Sequence, residues 1–255
     1  MLVRGAAVFL IILLSAGQAV AQSPDDLLSL PARGFWNLHL DQENVVECNN
    51  GSSDPLVFQL ELISNGGDSL GAWQYSLPGF GTIHVILNDL LPNTPAYGSY
   101  VLSDSGGPTQ NALRCLTAFY RKSAPGAAKV IEYGFVLPVR NDSTGVTAGV
   151  ANSMNPDPSA PATWNYLSIA NTGSNPFTAV VHVYEEDGTA RPERNFTISN
   201  LQSGQRFDYP LAHPYGKTIN LYRIVPSNLT APYQAFLSRY SQRVGGDYRF
   251  AFALR

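Results

Sequence analysis

The stretch Trp164–Ala190, WNYLSIANTGSNPFTAVVHVYEEDGTA, decides how the chain is read. It reads as two β-strands and the turns beside them. Pro176 precedes an apolar strand, and Asp187-Gly188 supplies the positive-φ position of a tight hairpin turn. A second stretch, Val45–Ser69, VVECNNGSSDPLVFQLELISNGGDS, repeats the pattern. Cys48-Asn49-Asn50-Gly51-Ser52 lies over Ala170-Asn171-Thr172-Gly173-Ser174. With one residue gapped, Pro55 falls on Pro176, and Asn65-Gly66-Gly67 falls on Glu186-Asp187-Gly188.

Further landmarks keep the same order. Tyr75 falls on Phe196 and Leu77 on Ile198, both on one face at period two. Gly81 falls on Gly204, Tyr97-Gly98 on Tyr215-Gly216, Ala118-Phe119 on Ala235-Phe236, and Tyr133 to Leu137 on Tyr248 to Phe252. Cys48 then falls at Ala170 and Cys115 at about Pro232. Short alternating strands with frequent turn signals predict an all-β chain: two tandem antiparallel β-sandwich units, immunoglobulin-like in the loose sense, related by an internal repeat. Two layers are needed because one sheet cannot hide both its apolar faces. One continuous barrel or jelly roll is the alternative architecture.

The expected divisions are a signal peptide over 1–21, a flexible lead-in over 22–33, a first unit over 34–140, a linker or extra strand over 141–163, and a second unit over 164–255. Arg4, the apolar run Ala6–Leu14 and Ala19-Val20-Ala21 have the order of an export signal with an A-x-A cleavage site. The mature chain then starts at Gln22 and is exported, to the periplasm, the cell surface or the medium, with no later membrane span. Gly34 onward, FWNLHL within it, reads as a first strand. Gly145–Ala151 reads as a strand of either unit, with Phe135–Val139 as one partner. The closing YRFAFALR reads as the strand that completes the second unit, or as an edge open to strand addition.

The pattern N-x-G/S-x-x-P, then an apolar strand, a D-G or G-G turn and a further strand, resembles the tandem immunoglobulin-like modules of bacterial exported and surface proteins. That resemblance covers most of the mature chain. It implies a structural, adhesive or assembly role, with a protein partner or self-association at the cell surface, and it carries over no functional residue.

Composition narrows the function classes. A net charge of −3 without a basic run argues against a nucleic-acid partner. The two cysteines, Cys48 and Cys115, are expected to form one disulfide in an exported chain. The G-x-S-x-G spacing at Gly67-Asp68-Ser69-Leu70-Gly71 falls in the glycine turn between two expected strands and not at a strand-to-helix elbow, and no H-x-x-x-H or C-x-x-C spacing occurs, so neither an enzyme, a metal nor a cofactor is expected. His39, His84, His182 and His213 are read as ordinary positions. Glu185-Glu186-Asp187 is the densest acidic cluster, read as a solvated hairpin tip rather than a calcium site. Asn155-Pro156-Asp157 is read as an Asx turn. Aromatic residues make up 11 % of the chain. Trp36, Trp73 and Trp164 are therefore the candidate surface for a glycan, the alternative ligand, because sugar CH faces stack on rings.

Overall fold

The computed structural model describes residues 28, 30–39, 42–94, 96–104, 112–122, 131–152, 163–211, 219–242 and 248–254. The expected signal peptide, the second half of the expected linker with Asn155 to Asp157, His213 and Tyr215-Gly216 lie outside them.

Strands dominate, and every pairing among the described residues is antiparallel. In the first half, one sheet runs β1 (Ala32–Asn37), β6 (Tyr97–Asp104), β3 (Leu56–Ser64), β4 (Ser69–Leu77). The facing sheet runs β5 (Thr82–Ile86), β2 (Gln42–Asn50), β7 (Leu113–Lys122), β8 (Ile131–Pro138). In the second half, one sheet runs β9 (Thr147–Asn152), β14 (Ile219–Pro226), β11 (Phe177–Glu185), β12 (Phe196–Leu201). Its partner runs β13 (Arg206–Pro210), β10 (Thr163–Asn171), β15 (Tyr233–Gln242), β16 (Tyr248–Leu254). The strand order of the second half is that of the first with each number raised by eight. In both halves the second strand pairs with the fifth and the third with the sixth, as B–E and C–F do in an immunoglobulin sandwich. The first and seventh strands, however, sit where that fold places its last and first.

Strand alternation builds each core. Leu56, Phe58, Leu60 and Leu62 of β3 all point inward, as do Phe177, Ala179, Val181 and Val183 of β11. Trp36, Tyr100 and Leu102 close the first core; Tyr222, Ile224 and Tyr233 close the second. Leu28, expected in a flexible lead-in, is buried in the first core, and β1 begins at Ala32 rather than Gly34.

Strand pairing shifts the expected correspondence between the halves. The Asn50 side chain donates to the carbonyls of Asp54 and Pro78 at 2.7 and 3.1 Å and accepts from the Ser52 amide. Asn171 donates to the carbonyls of Asn175 and Leu201, both at 2.8 Å, and accepts from the Gly173 amide. Asn171 is therefore the counterpart of Asn50 and not of Asn49. Cross-strand register then sets Cys48 opposite Cys115 where Ile169 stands opposite Ala235, instead of at Ala170 and Pro232. The turn glycines fall as expected: Gly67 and Gly188 have φ of 96° and 85°. Pro192, which lacks an N–H, opens a 3₁₀ turn over Pro192–Arg194, and β12 starts after it at Phe196.

The segment around Gly145–Ala151 forms β9, which pairs with β14 and not with Phe135–Val139. It is the second half's equivalent of β1, a strand for which the sequence offers no obvious counterpart. The last strand, β16, completes its sheet against β15, as β8 does against β7, and β8 and β16 pack beside one another.

Candidate functional site at the seam

The functional candidate arises where the halves meet. Phe35 and Trp36 are adjacent on β1, so their side chains leave opposite faces of the strand. Trp36 enters the first core at 0 % exposure, its indole N–H donating to the Ser99 carbonyl at 2.8 Å. Phe35 turns outward and meets Phe236 of β15 at 4.5 Å between ring centroids. Around this pair Phe119, Phe135, Leu137, Phe236 and Tyr240 form a small apolar cluster drawn from both halves. Phe119 and Phe135 stack at 4.7 Å, and Tyr240 meets Phe135 edge-on at 6.0 Å.

Arg206 sits at the centre of the seam with its side chain 3 % exposed. The sequence RFDYP places Arg206 and Asp208 two residues apart on β13, hence on one face. Their side chains pair in the bidentate geometry, Nε to Oδ1 and one terminal nitrogen to Oδ2, both at 2.8 Å. The other terminal nitrogen donates across the seam to the carbonyls of Trp36 and Gly98 at 3.0 and 2.8 Å. A last bond reaches Ser168 Oγ at 3.3 Å. All five guanidinium donors are thus engaged. The rings of Phe35, Tyr97 and Phe236 lie 5.0, 5.1 and 5.4 Å from the guanidinium carbon, within cation–π range.

Other bonds fix the same seam. The Arg206 amide donates to the Asn65 carbonyl at 3.0 Å, and the Gln234 side chain donates to the Arg140 carbonyl at 2.7 Å. The turns at Gly67 and Gly204 touch: a Cβ on Gly67 would stand 2.7 Å from the Ser203 carbonyl oxygen. Arg33 Nε lies 3.4 Å from Asp142 Oδ1, but neither atom finds an aligned hydrogen-bond partner. Burial pushes the Asp142 carboxyl above the usual carboxylate range, against the pull of the Arg33 charge.

Beside Arg206 a cavity of about 260 Å³ opens between the halves. Its walls include the rings of Tyr97, Phe119, Tyr166 and Tyr240, with His39 tilted against Tyr97 at 5.5 Å. Gln42 also lines it. That side chain is buried, 3 % exposed, and its Oε1 has no hydrogen-bond partner. An unsatisfied buried acceptor costs about 1–3 kcal/mol. A larger cavity of about 620 Å³ opens on the other side of Phe236, lined mainly by apolar residues such as Leu116, Val136, Leu167 and Ile224.

The residues singled out in the sequence lie elsewhere. Cys48 and Cys115 form the expected disulfide, between directly opposed residues of β2 and β7. The bond fits an oxidising compartment. Trp36 is buried and cannot serve a surface platform, because strand parity turns it inward. Trp73, on β4, is half-buried against the first core, over Gly71. Trp164 lies on β10, its side chain outside the described ones. Trp36 therefore cannot join Trp73 in the expected glycan surface. Glu185 takes a hydrogen bond from Arg191, which holds its carboxyl below the ordinary range, and Asp187 accepts from the Thr189 amide within the hairpin turn. Among the described residues no group of three His, Cys, Asp or Glu is placed to hold a metal ion, and no helix is long and apolar enough to cross a membrane. Gln42, Tyr166, Arg206 and Asp208 went unmarked in the sequence, and Tyr97 stood out there only as a landmark of the repeat. The one available signal was the R-x-D spacing in a strand of a chain with only 14 % charged residues.

No protein-family model and no curated protein matches the chain. Among solved structures, a lectin from Pleurotus ostreatus in its apo form aligns over 89 % of this chain and 77 % of its own, at 12 % identity and a TM-score of 0.19. The same lectin in complex with GalNAc aligns over 89 % and 78 %, at 13 % identity and a TM-score of 0.18. A beta-glucuronidase from glycoside hydrolase family 2 aligns over 91 % of this chain but 25 % of its own, at 12 % identity and a TM-score of 0.17. Likeness at these scores carries no argument about function.

Proposed function

We propose that the chain is an exported, non-enzymatic binding protein that holds a small ligand at the seam between its two β-sandwich units. The observation that carries this reading is the cavity between the halves, walled by aromatic rings with the Arg206–Asp208 pair in its lining. Ligand pockets combine apolar and aromatic walls with a few fixed polar groups, and they favour interfaces between units. The bond network of Arg206 holds the walls in place before a ligand arrives, which lowers the ordering cost of binding. The disulfide supports export, and the sequence supplies the signal. Screening a library of neutral, acidic, basic and apolar small molecules by thermal shift tests the reading. Ligands should raise the melting temperature and perturb the ring resonances of Tyr97 and Tyr240. No stabilising compound, or turnover of any compound abolished by a single polar substitution, would sink it.

A structural, adhesive or assembly role at the cell surface is the second reading. It is favoured by β4, a nine-residue edge strand whose outer side pairs with nothing among the described residues. Cell fractionation with the native mass of the purified protein separates the two. Surface-located assemblies would support strand-to-strand association, with a protein partner or with a second copy. A monomer of the periplasm would leave the binding reading alone.

A further inference from the structure

We infer that the outer edge of β4 joins two copies of this chain, β4 pairing antiparallel with β4 of a second molecule about a two-fold axis through Gln74. The inference rests on the assembly reading above and names its partner.

β4 is the longest edge strand among the described residues, nine residues where the other edges have five to eight. Exposed edges are normally guarded by charge, by proline or by a break in the strand. Ser69–Leu77 contains no charged residue and no proline. The equivalent edge of the second half is guarded. There β12 runs six residues, its register slips between Phe177 and Ala179, and Asn200 within it has a φ of 54°. The repeat thus leaves one of two matched edges open.

Backbone direction sets the register. The Ser64 amide donates to the Asp68 carbonyl on the β4 side of β3, whereas the Asn65 amide donates to the Tyr97 carbonyl on the β6 side. Alternation then turns Leu62, Leu60 and Phe58 toward β4, and their partners Gly71, Trp73 and Tyr75 toward β3. Ala72, Gln74 and Ser76 are left with N–H and C=O groups directed outward, and all three residues are exposed. Leu70 drops out of the series, because the register of β3 and β4 shifts beside it. A second β4 meets this edge with the same spacing of donors and acceptors. Ala72 then faces the second copy's Ser76, Gln74 faces Gln74, and Ser76 faces Ala72, each pair exchanging both main-chain bonds.

The side chains agree with that register. Gln59 stands beside Gln74 on the outer face, so the axis would carry a row of glutamines whose amides both donate and accept. On the opposite face Trp73 falls across from the second copy's Tyr75 in a non-hydrogen-bonded pair, the closer kind, where aromatic partners stabilise a sheet. Both rings are half-buried at the rim of the first core, and the added strand covers them. No charge of β4 meets its like across the axis, and two-fold pairing is the commonest way for a chain to join itself. One strand a side is well short of the roughly 20–30 residues of a standard interface, so the dimer should be reversible.

The test is sedimentation equilibrium of the mature full-length chain, disulfide intact, through the micromolar range. The average mass should rise from monomer to dimer. Gln74→Lys sets two ammonium groups face to face on the axis and should weaken the dimer at least about tenfold, with the melting temperature of the dilute monomer unchanged. Gln74→Glu should do the same. Mixing the two variants should restore a mixed dimer, which an interface away from Gln74 would not do. A dimer that neither variant weakens would overturn the β4 joint and leave the assembly reading standing on another surface. A parent that stays monomeric at every concentration would overturn self-pairing. A larger native mass in cell fractions, lost with Gln74→Lys, would then keep β4 as a joint to a different protein, and a periplasmic monomer would remove the assembly reading as well.

Discussion

At the scale of single residues, Arg206 shows how one side chain joins two cores. A buried charge is tolerated only when it is paired and its donors are met, and both conditions hold here. Replacing Arg206 by Met would strand the Asp208 carboxylate and the carbonyls of Trp36 and Gly98 together. Removing one partner of a buried pair costs about 3–5 kcal/mol, and urea denaturation of Arg206→Met should show a loss of that order. Arg206→Lys should rescue little of it, since an ammonium cannot reproduce the planar fork or its stacking; a lysine variant as stable as the parent would deny the fork its role. Asp142 gives the opposite case. Its folded-state pKa is raised by burial, with the Arg33 charge opposing. A raised folded value means that the fold favours the protonated form. The resulting stabilisation is complete below the unfolded pKa and disappears as the pH rises through the folded one. Asp142→Asn should therefore be at least as stable as the parent at pH 7, with the advantage shrinking as the pH falls toward 4. Urea midpoints across that range check it, and a variant weaker at pH 7 than at pH 4 would reverse the sign.

At the scale of elements, the sequence carries the strands and their turns well and their exact equivalence less well. Alternation in β3 and β11 and the glycines at 67 and 188 are local features, and local features survive in a linear reading. The counterpart of Asn171 is different. Asn49 and Asn50 are both asparagine and adjacent, and only strand parity decides which of them points inward. The same parity separates Phe35 from Trp36. An alternating pattern gives two faces but does not say which face meets which neighbour. The structure makes Asn50 and Asn171 equivalent corner pins, each spanning two carbonyls and an amide. Losing one leaves buried carbonyls unmet, at about 1–3 kcal/mol. Asn50→Ala and Asn171→Ala should thus cost similar amounts by chemical denaturation, whereas Asn49→Ala, at an exposed position, should change stability by less than about 0.5 kcal/mol. A costly Asn49→Ala would restore the equivalence that the sequence suggests.

At the scale of the whole molecule, the seam was illegible in the sequence because its partners come from β1, β8, β13 and β15, far apart in the chain and without a shared motif. Its physical character nonetheless sets how the protein unfolds. Units joined by a short linker and a small polar interface are expected to melt separately. Here the halves share the Phe35–Phe236 contact, the Arg206 bonds to Trp36 and Gly98, the Gln234 bond to Arg140 and the touching turns at Gly67 and Gly204. Opening either half would strip partners from the other, so the two should unfold together. Calorimetry of the disulfide-intact protein should give one transition, with calorimetric and van't Hoff enthalpies in agreement. Phe236→Ala deletes the partly buried ring that contacts Phe35 and Arg206 and lines both cavities, and its cost should fall below the roughly 3–5 kcal/mol of truncating a fully buried aromatic. Because that loss falls on the seam and not on either main core, the variant should separate the melt into two transitions instead of lowering a single one. Two transitions in the parent protein would mean that the seam couples the halves only weakly. The cavity walls would then move with respect to each other, and a ligand would have to bring them together at the expense of its own affinity.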